Sequence, residues 1–509
     1  MRNHWRALML ASLLLSACSG GSNTSANLPP ASIAPVNAGP SGILSQAPVG
    51  LGSNPVATPS SGATIAPGTP TASATSAPTR SATAAPTVMR TVTPTVTPTA
   101  VASTPQPTLG PLAGEMPHMA DAFVDSIGIN THLDDSSTPY EQLYSTFVPL
   151  LEASGIRHIR DGLLDTTWQT YYTNLNQLGL AGIHATLITS IGQSAALLQS
   201  YPARIPNSFE AYEGPNEYDN SGDPNWASEL QAFMPLLYTA VKSDAATSHF
   251  PVIGPSLIST SDEATLGNLS ASMDDGNIHD YFAGFNPGTP GWGAGGFGSA
   301  YGSILYNIGA EEQVSGTKPI IATETGYCTL PNTVGAVSPT IQGRYVPRMF
   351  MEQFNAGIAR TFEYEFADDG ASYFGSCGLT TSTFTPRPAY YALSSIIHLL
   401  SDPGPSFTTV PLAYTLTGQT TNVHHLLLQS RNGTYWLALW IETESWNPNT
   451  ETAITVPAQA VTVSLPKTPL SATLSTLDDT GTMTTAHLAP SATVNLSITD
   501  RVSILSLGM

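Results

Sequence analysis

Lysine is nearly missing from this chain: three occur in 509 residues, at Lys242, Lys318 and Lys467. Charged side chains of all kinds make up only 10% of it. A phosphate backbone needs clustered Lys or Arg, so nucleic-acid binding is excluded, as is adhesion to anionic lipid through a basic patch. Acidic residues are absent from one region, with no Asp or Glu before Glu115, so all 36 acids face only 12 of the 16 basic residues from there on. Cysteine is scarce, at Cys18, Cys328 and Cys377. No G-x-S-x-G elbow, H-E-x-x-H or C-x-x-C occurs. A serine hydrolase or a zinc enzyme therefore has no sequence support, and neither metal nor cofactor is expected.

Apolar runs long enough to cross a bilayer are also missing; the longest, Ala7–Ala17, is too short. It follows Arg2 and Arg6 and precedes Cys18, the order of a signal peptide. The LSAC ending resembles a bacterial lipobox, which implies residues 1–17 as signal peptide and Cys18 as the lipid anchor. Residues 18–112 are rich in Ser, Thr, Pro, Ala and Gly, with repeats such as TVTPTVTPTA and no Trp, Tyr or Phe. Such a segment cannot bury enough apolar area to offset its ordering entropy, so it reads as a disordered tether spanning roughly 50–60 Å as a flexible coil. The expected location is extracytoplasmic, on the cell surface, with the membrane touched only through the lipid. No obligate protein partner is evident.

From 113 to 400, strand-like apolar runs alternate with helix-like stretches. The strand candidates are 123–133, 156–163, 183–192, 209–217, 250–259, 274–281, 319–327 and 360–368. Eight such units in this length fit an α/β fold, a (β/α)8 TIM barrel, whose chemistry sits at the C-terminal ends of the strands. From 401 to 509 the pattern turns to short alternating strands with Gly, Asn and Pro turns, suited to a small antiparallel β-sandwich. His424 and His425 have no further ligand at metal spacing and read as a strand-surface pair. Trp436, Trp440 and Trp446 are either sandwich core or a glycan platform, with core the safer reading.

Two glutamates end barrel strands, Glu217 in EGPNEYD and Glu324 in ATETGY, while His279 and Tyr281 end the sixth. Two carboxylates facing one cleft can cleave a glycosidic bond, one protonating the leaving oxygen while the other attacks the anomeric carbon. On these residues the sequence resembles the clan A glycoside hydrolases, retaining (β/α)8 enzymes, near family 39. The resemblance covers about residues 120–400 and extends to the closing pattern YEFADDG…YFGSCGL…PRPAYYAL. It implies Glu217 as acid/base, Glu324 as nucleophile, and Asn216, Arg160, His279 and Tyr281 as supporting residues. It departs at strand eight, where many members place a sugar-stacking Trp and this chain has Tyr364 and Glu365.

Glu217 must be protonated in the resting enzyme, and like-charge repulsion from Glu324 would raise its pKa. Arg160 and the Tyr281 phenol would keep Glu324 ionised. The implied carboxyl separation is roughly 5–5.5 Å, the retaining spacing. Glu213, four residues before Glu217 and deeper on the same strand, is expected in a buried polar network. Asp161 either orients Arg160 or faces a loop, and Glu363 and Glu365 compete for the catalytic roles. Asn216, Arg160, His279, Tyr281, Trp292, Tyr327 and Tyr364 are the substrate-binding candidates.

The segment 291–296, GWGAGG, matches G-x-G-x-x-G but follows a loop and opens no helix, so dinucleotide binding is a poor reading. A long strand-six loop over the cleft fits better, with Trp292, Phe297 and Tyr301 able to stack on sugars; a lid without ligand contact stays open. Cys328 and Cys377 lie beyond neighbouring strands and suit a disulfide. The function expected is a retaining β-glycosidase acting on poly- or oligosaccharides. Two alternatives remain, a carbohydrate-binding or adhesion lipoprotein without turnover and a transglycosylase. The Lys-poor, acidic surface suggests an acidic working pH, which a pH–rate maximum above 7 would contradict.

Overall fold

The computed structural model describes residues 114–288 and 303–509. The expected signal peptide, Cys18, the expected tether and residues 289–302, with Trp292, Phe297 and Tyr301, lie outside the described residues. Among the described residues, no helix is long and apolar enough to cross a membrane.

Eight parallel strands form the barrel: β1 (Ile127–Asn130), β2 (His158–Gly162), β3 (His184–Ile188), β4 (Phe209–Glu213), β5 (Val252–Ile253), β6 (Gly276–Tyr281), β7 (Ile320–Gly326) and β8 (Arg360–Glu363). They neighbour one another in the order β5-β4-β3-β2-β1-β8-β7-β6, and a parallel bridge from Ile253 to Asp275 closes the ring. The strands after which sequence reading expected chemistry are therefore present, though shorter. Residues 123–125 belong instead to a helix, Ala120–Asp125. Ala120, Phe123 and Val124 are buried there, the i, i+3, i+4 spacing of one helical face. Strand β4 stops at Glu213 because Gly214-Pro215 follows, and proline has no N–H for the ladder.

Connecting helices cover the barrel, among them α1 (Tyr144–Ser154), α2 (Gln169–Leu180), α3 (Ala195–Ser200), α4 (Trp226–Ser243), α5 (Glu263–Leu266), α6 (Ile304–Ser315), α7 (Pro339–Asn355) and α8 (Pro388–Leu400). Inside the barrel an apolar plug of Ala211, Ile253, Ile321 and Phe362 closes one end. Gly128 makes room for it, since a Cβ there would sit 2.4 Å from the Phe362 ring. The layer above the plug is polar, and the catalytic candidates stand on it.

The C-terminal part is a sandwich of a six-stranded and a three-stranded sheet. In the six-stranded sheet Val423–Gln429 and Tyr435–Ile441 run near-continuously apolar because both faces are buried. Leu427, Leu437 and Leu439 face the three-stranded sheet, whereas Leu426, Leu428, Ala438 and Trp440 join the barrel core. Trp440 and Trp446 are thus core. The chain enters through this sheet: His118–Met119 pairs in parallel with Leu428–Gln429 before the barrel begins.

Polar contacts tie the two parts together. Arg348 of α7, fully buried, pairs with Glu442 at 2.7 Å. Glu442 also accepts from Asn286 and from the Gly288 N–H, in the loop after β6. Removing one member of such a buried pair typically costs about 3–5 kcal/mol. His424 and His425 reach Glu352 and Glu115 at 2.7 and 3.0 Å, so each serves as an inter-element contact. A Cys328–Cys377 disulfide spans 49 residues and joins the loops after β7 and β8. Chain entropy alone assigns a loop of that length about 4 kcal/mol.

Candidate active site

Arg160 of β2 organises the polar layer. Its Nε and Nη2 donate to the two oxygens of Glu213, both at 2.7 Å. Nη2 also donates to Asn216 Oδ1 at 2.6 Å, and Nη1 to Asn130 Oδ1 at 3.0 Å and Glu324 Oε1 at 2.6 Å. A guanidinium carries five N–H donors, and all five are used. Arg160 is 2% exposed, so it aims its neighbours and has no donor left for a sugar. That corrects the expectation that it touches substrate. Glu213 has the buried network role expected of it, accepting also from Asn277 Nδ2 at 3.1 Å.

Glu324 reaches this layer through an irregularity in β7. In regular pairing Thr323 and Glu324 would face opposite sides of the sheet. The register shifts between β7 and both neighbours at this point. Both side chains accordingly reach the interior, with Thr323 Oγ1 2.7 Å from Asn277 Oδ1 and Glu324 on Arg160. Glu324 Oε2 accepts from the Tyr281 phenol at 2.9 Å. Burial raises the pKa of this carboxyl, but the nearby charges of His279 and Arg160 and the bonds from Arg160 and Tyr281 outweigh it and leave it lowered.

Glu217 is not on a strand. It sits in the left-handed region at φ 43°, ψ 42°, held by its N–H, which donates to the Ser256 carbonyl and hydroxyl oxygens, both at 3.1 Å. A non-glycine residue in that region stores strain of order 1 kcal/mol, often found where a side chain must be aimed. Its Oε1 lies 2.7 Å from His279 Nδ1, while Oε2 is buried with no hydrogen-bond partner. Its pKa is raised chiefly by burial; the charge of Glu324 adds to this, and the bond and charge of His279 oppose it. Burial, and not the repulsion from Glu324 expected from sequence, is the main cause. His279 Nε2 lies 3.2 Å from Thr323 Oγ1. The pair sits close, with one carboxylate oxygen of each glutamate within 4.8 Å of the other.

Asn216 stands beside Glu217, its Oδ1 held by Arg160 and by Ser256 Oγ at 3.2 Å. Tyr364 is nearly buried and packs with Tyr281, Cys328 and Cys377 near the pair. Tyr327 does not reach the cleft: its ring stacks on Phe282 and its hydroxyl donates to the Phe285 carbonyl. It is core, a correction to its place among the sugar-binding candidates. Asp161 accepts from Thr131, from the Leu133 and Asp134 N–H groups and from Gly162, so it caps the β1 loop and does not orient Arg160. Glu363 is buried behind β7, where a Cβ on Gly326 would come within 3.0 Å of its Oε1.

Sequence reading missed a third group. His132, Glu365 and Asp369 converge from the loops after β1 and β8, with His132 Nε2 3.6 Å from Glu365 Oε2 and 3.8 Å from Asp369 Oδ2. The His132 ring lies 5.6 Å from Tyr364. Isolated acids and a histidine in loops carry no spacing signal, so only the tertiary contact brings them together. Both this cluster and Glu217–His279–Glu324 have the spacing of metal ligands. In the latter, the Arg160 guanidinium 2.6 Å from Glu324 opposes a second cation.

No family model and no curated protein matches the chain. Among solved structures, a family 39 glycoside hydrolase from the gut symbiont Bacteroides cellulosilyticus WH2 is similar at TM-score 0.53 and 17% identity, over 77% of this chain and 83% of that one. An α-L-arabinofuranosidase from Thermotoga maritima is similar at TM-score 0.47 and 10% identity, over 71% and 89% of the two chains. The first likeness shows the fold: this chain shares its overall architecture with that family 39 structure, and the strands and site described above are those of a (β/α)8 barrel with an attached β-sandwich.

Proposed function

We propose that the protein is a retaining glycoside hydrolase, with Glu217 as acid/base and Glu324 as nucleophile. The observation that carries this is the opposite environment of two carboxylates whose oxygens lie within 4.8 Å: the pKa of Glu217 is raised and that of Glu324 lowered. Such a pair has separate roles at one pH. The closeness supports the retaining spacing of roughly 5–5.5 Å over the roughly 6.5–9.5 Å that an intervening water needs.

In the first step Glu217 Oε2, free of other partners, gives its proton to the glycosidic oxygen. The bond from that oxygen to the anomeric carbon breaks as a Glu324 oxygen bonds to the same carbon. With a proton on Nδ1, His279 holds Oε1 of Glu217, keeping Oε2 as the acid. In the second step water attacks the anomeric carbon, its proton passes to Glu217, and Glu324 leaves as the carboxylate stabilised by Arg160 and Tyr281. Asn216, its carbonyl end fixed by Arg160 and Ser256, has its amide nitrogen available for a sugar hydroxyl. The substrates are β-linked glycans or glycosides, acted on at the cell surface by a protein tethered through Cys18. NMR of the reaction in its first minutes should show the product anomer with the configuration of the substrate; an inverted anomer would refute the assignment.

A further inference from the structure

On the hydrolase reading above, Glu217 must present Oε2 to the glycosidic oxygen. His279 holds the other oxygen of that side chain, but the backbone beneath it is left-handed at φ 43°, a conformation that persists only where its surroundings fix it. Strand β4 ends at Glu213, four residues earlier, so the strand does not supply the restraint. Residues 214–219 lie instead along the loop 254–259, which follows β5, and they touch it at three points taken in the same order along both. Gly214 meets Pro255 so closely that a Cβ there would come 2.6 Å from the Pro255 nitrogen. The Glu217 N–H donates to the carbonyl and hydroxyl oxygens of Ser256, which is fully buried and whose hydroxyl also reaches Asn216 Oδ1. Asp219 Oδ2 then accepts the Ile258 N–H at 3.0 Å and the Ser259 N–H at 3.1 Å.

Strand β5 is only Val252–Ile253, so little regular pairing holds this loop in place. Asp219 takes up two of its backbone donors, which otherwise need partners of their own. The side chain is thus the last rung of a clamp whose middle rung is the Glu217 N–H. A shift of the loop moves Ser256, and with Ser256 the backbone that aims the acid.

We propose that Asp219 is a positioning residue for the acid/base: by gripping the Ile258 and Ser259 N–H groups it keeps Ser256 under Glu217. The test reads proton donation, using the full chain at pH 7. Burial and the charges of Asp262 and ionised Glu217 push Asp219 up, its two N–H bonds oppose them, and the outcome of about 6 leaves it ionised there. The substrates are phenyl and 2,4-dinitrophenyl β-D-xylosides, glucosides and galactosides. Phenoxide needs a proton as it leaves and 2,4-dinitrophenoxide does not, so the ratio of the two kcat/KM values measures the acid's work. The amount of folded enzyme cancels from that ratio, and Glu217→Ala sets its full change. Asp219→Ala should lower the phenyl value roughly 10- to 100-fold more than the dinitrophenyl value, a part of what a placed proton donor supplies. Asp219→Asn, which keeps one acceptor oxygen and the same size, should fall between Asp219→Ala and the wild type. A ratio that does not move, whether both rates hold or both fall equally, overturns the proposal. If nothing is cleaved, or if Glu217→Ala leaves the ratio unchanged, the reading of Glu217 as the acid of a hydrolase fails, and amide hydrogen exchange decides the clamp separately. Faster exchange of the Glu217 N–H in the Asp219 variants, with the β1 amides unchanged, then supports it, and unchanged exchange overturns it.

Discussion

Replacing Arg160 by lysine keeps the positive charge and removes the planar fork. Arginine meets acceptors on Glu213, Asn216, Asn130 and Glu324 through five N–H groups, whereas lysine has three donors on one nitrogen. At least two buried acceptor contacts are then lost, each at about 1–3 kcal/mol, so R160K should lose about 2–6 kcal/mol of a total of order 5–15 kcal/mol. Glu213 is the deeper partner and would hold the ammonium. Glu324 then gives up a charge-assisted bond of about 1.5–3 kcal/mol, which at 1.36 kcal/mol per pH unit raises its pKa by about 1–2 units. In the proposed mechanism Glu324 must be ionised to attack, so the acid limb of the kcat/KM–pH profile should move up by that amount, and the maximum should fall roughly 10- to 100-fold. The assay is a pH–rate profile on a cleaved aryl glycoside, with a urea melt of the same sample. A folded R160K with an unmoved acid limb would refute the positioning role.

Two other predictions concern the whole chain. Buried acids should make the fold more stable at acidic than at alkaline pH. Burial and the charges of Glu311, Asp219 and Asp262 push Glu263 up to about 9, and burial pushes Glu311 to about 8 and Asp280 to about 7. A group raised on folding lends stability below its unfolded pKa and loses it as pH rises through the folded value. The raised histidines His158 and His424 act in the same direction, and acids lowered on folding, such as Asp125 at about 2, lose their contribution only at lower pH. The melting temperature should therefore fall by at least a few degrees between about pH 5 and 9, and a rise over that interval would contradict the assignment. If Cys18 carries the proposed lipid, Cys18→Ser should move the expressed protein from the detergent phase to the aqueous phase in Triton X-114 partitioning, and unchanged partitioning would count against lipid attachment.

The legible and illegible parts of the site differ for a physical reason. Glu217 and Glu324 could be found because each follows an aliphatic strand run, and a barrel puts strand ends on one face. His279 and Tyr281 share strand parity, and both reach the pair. Parity failed at β7, where an irregular register brings Thr323 and Glu324 inward together. Nor does parity aim Glu217, which lies past the end of β4 and whose own backbone is left-handed. Tyr327, one residue past β7, looked like Tyr364 in sequence, but it packs outward on Phe282.

The sequence by itself determined the order of elements and the poverty of cations, because periodicity and composition are local and additive. It also bore the two glutamates near the ends of β4 and β7, and the two cysteines beyond the neighbouring strands β7 and β8. Only the tertiary structure decided which acids are protonated, since burial and a neighbour's charge depend on residues far apart in the chain. Arg160 joins β2 to partners 30, 53, 56 and 164 residues away. The grouping of His132 with Glu365 and Asp369 likewise arises only when the barrel closes β8 beside β1.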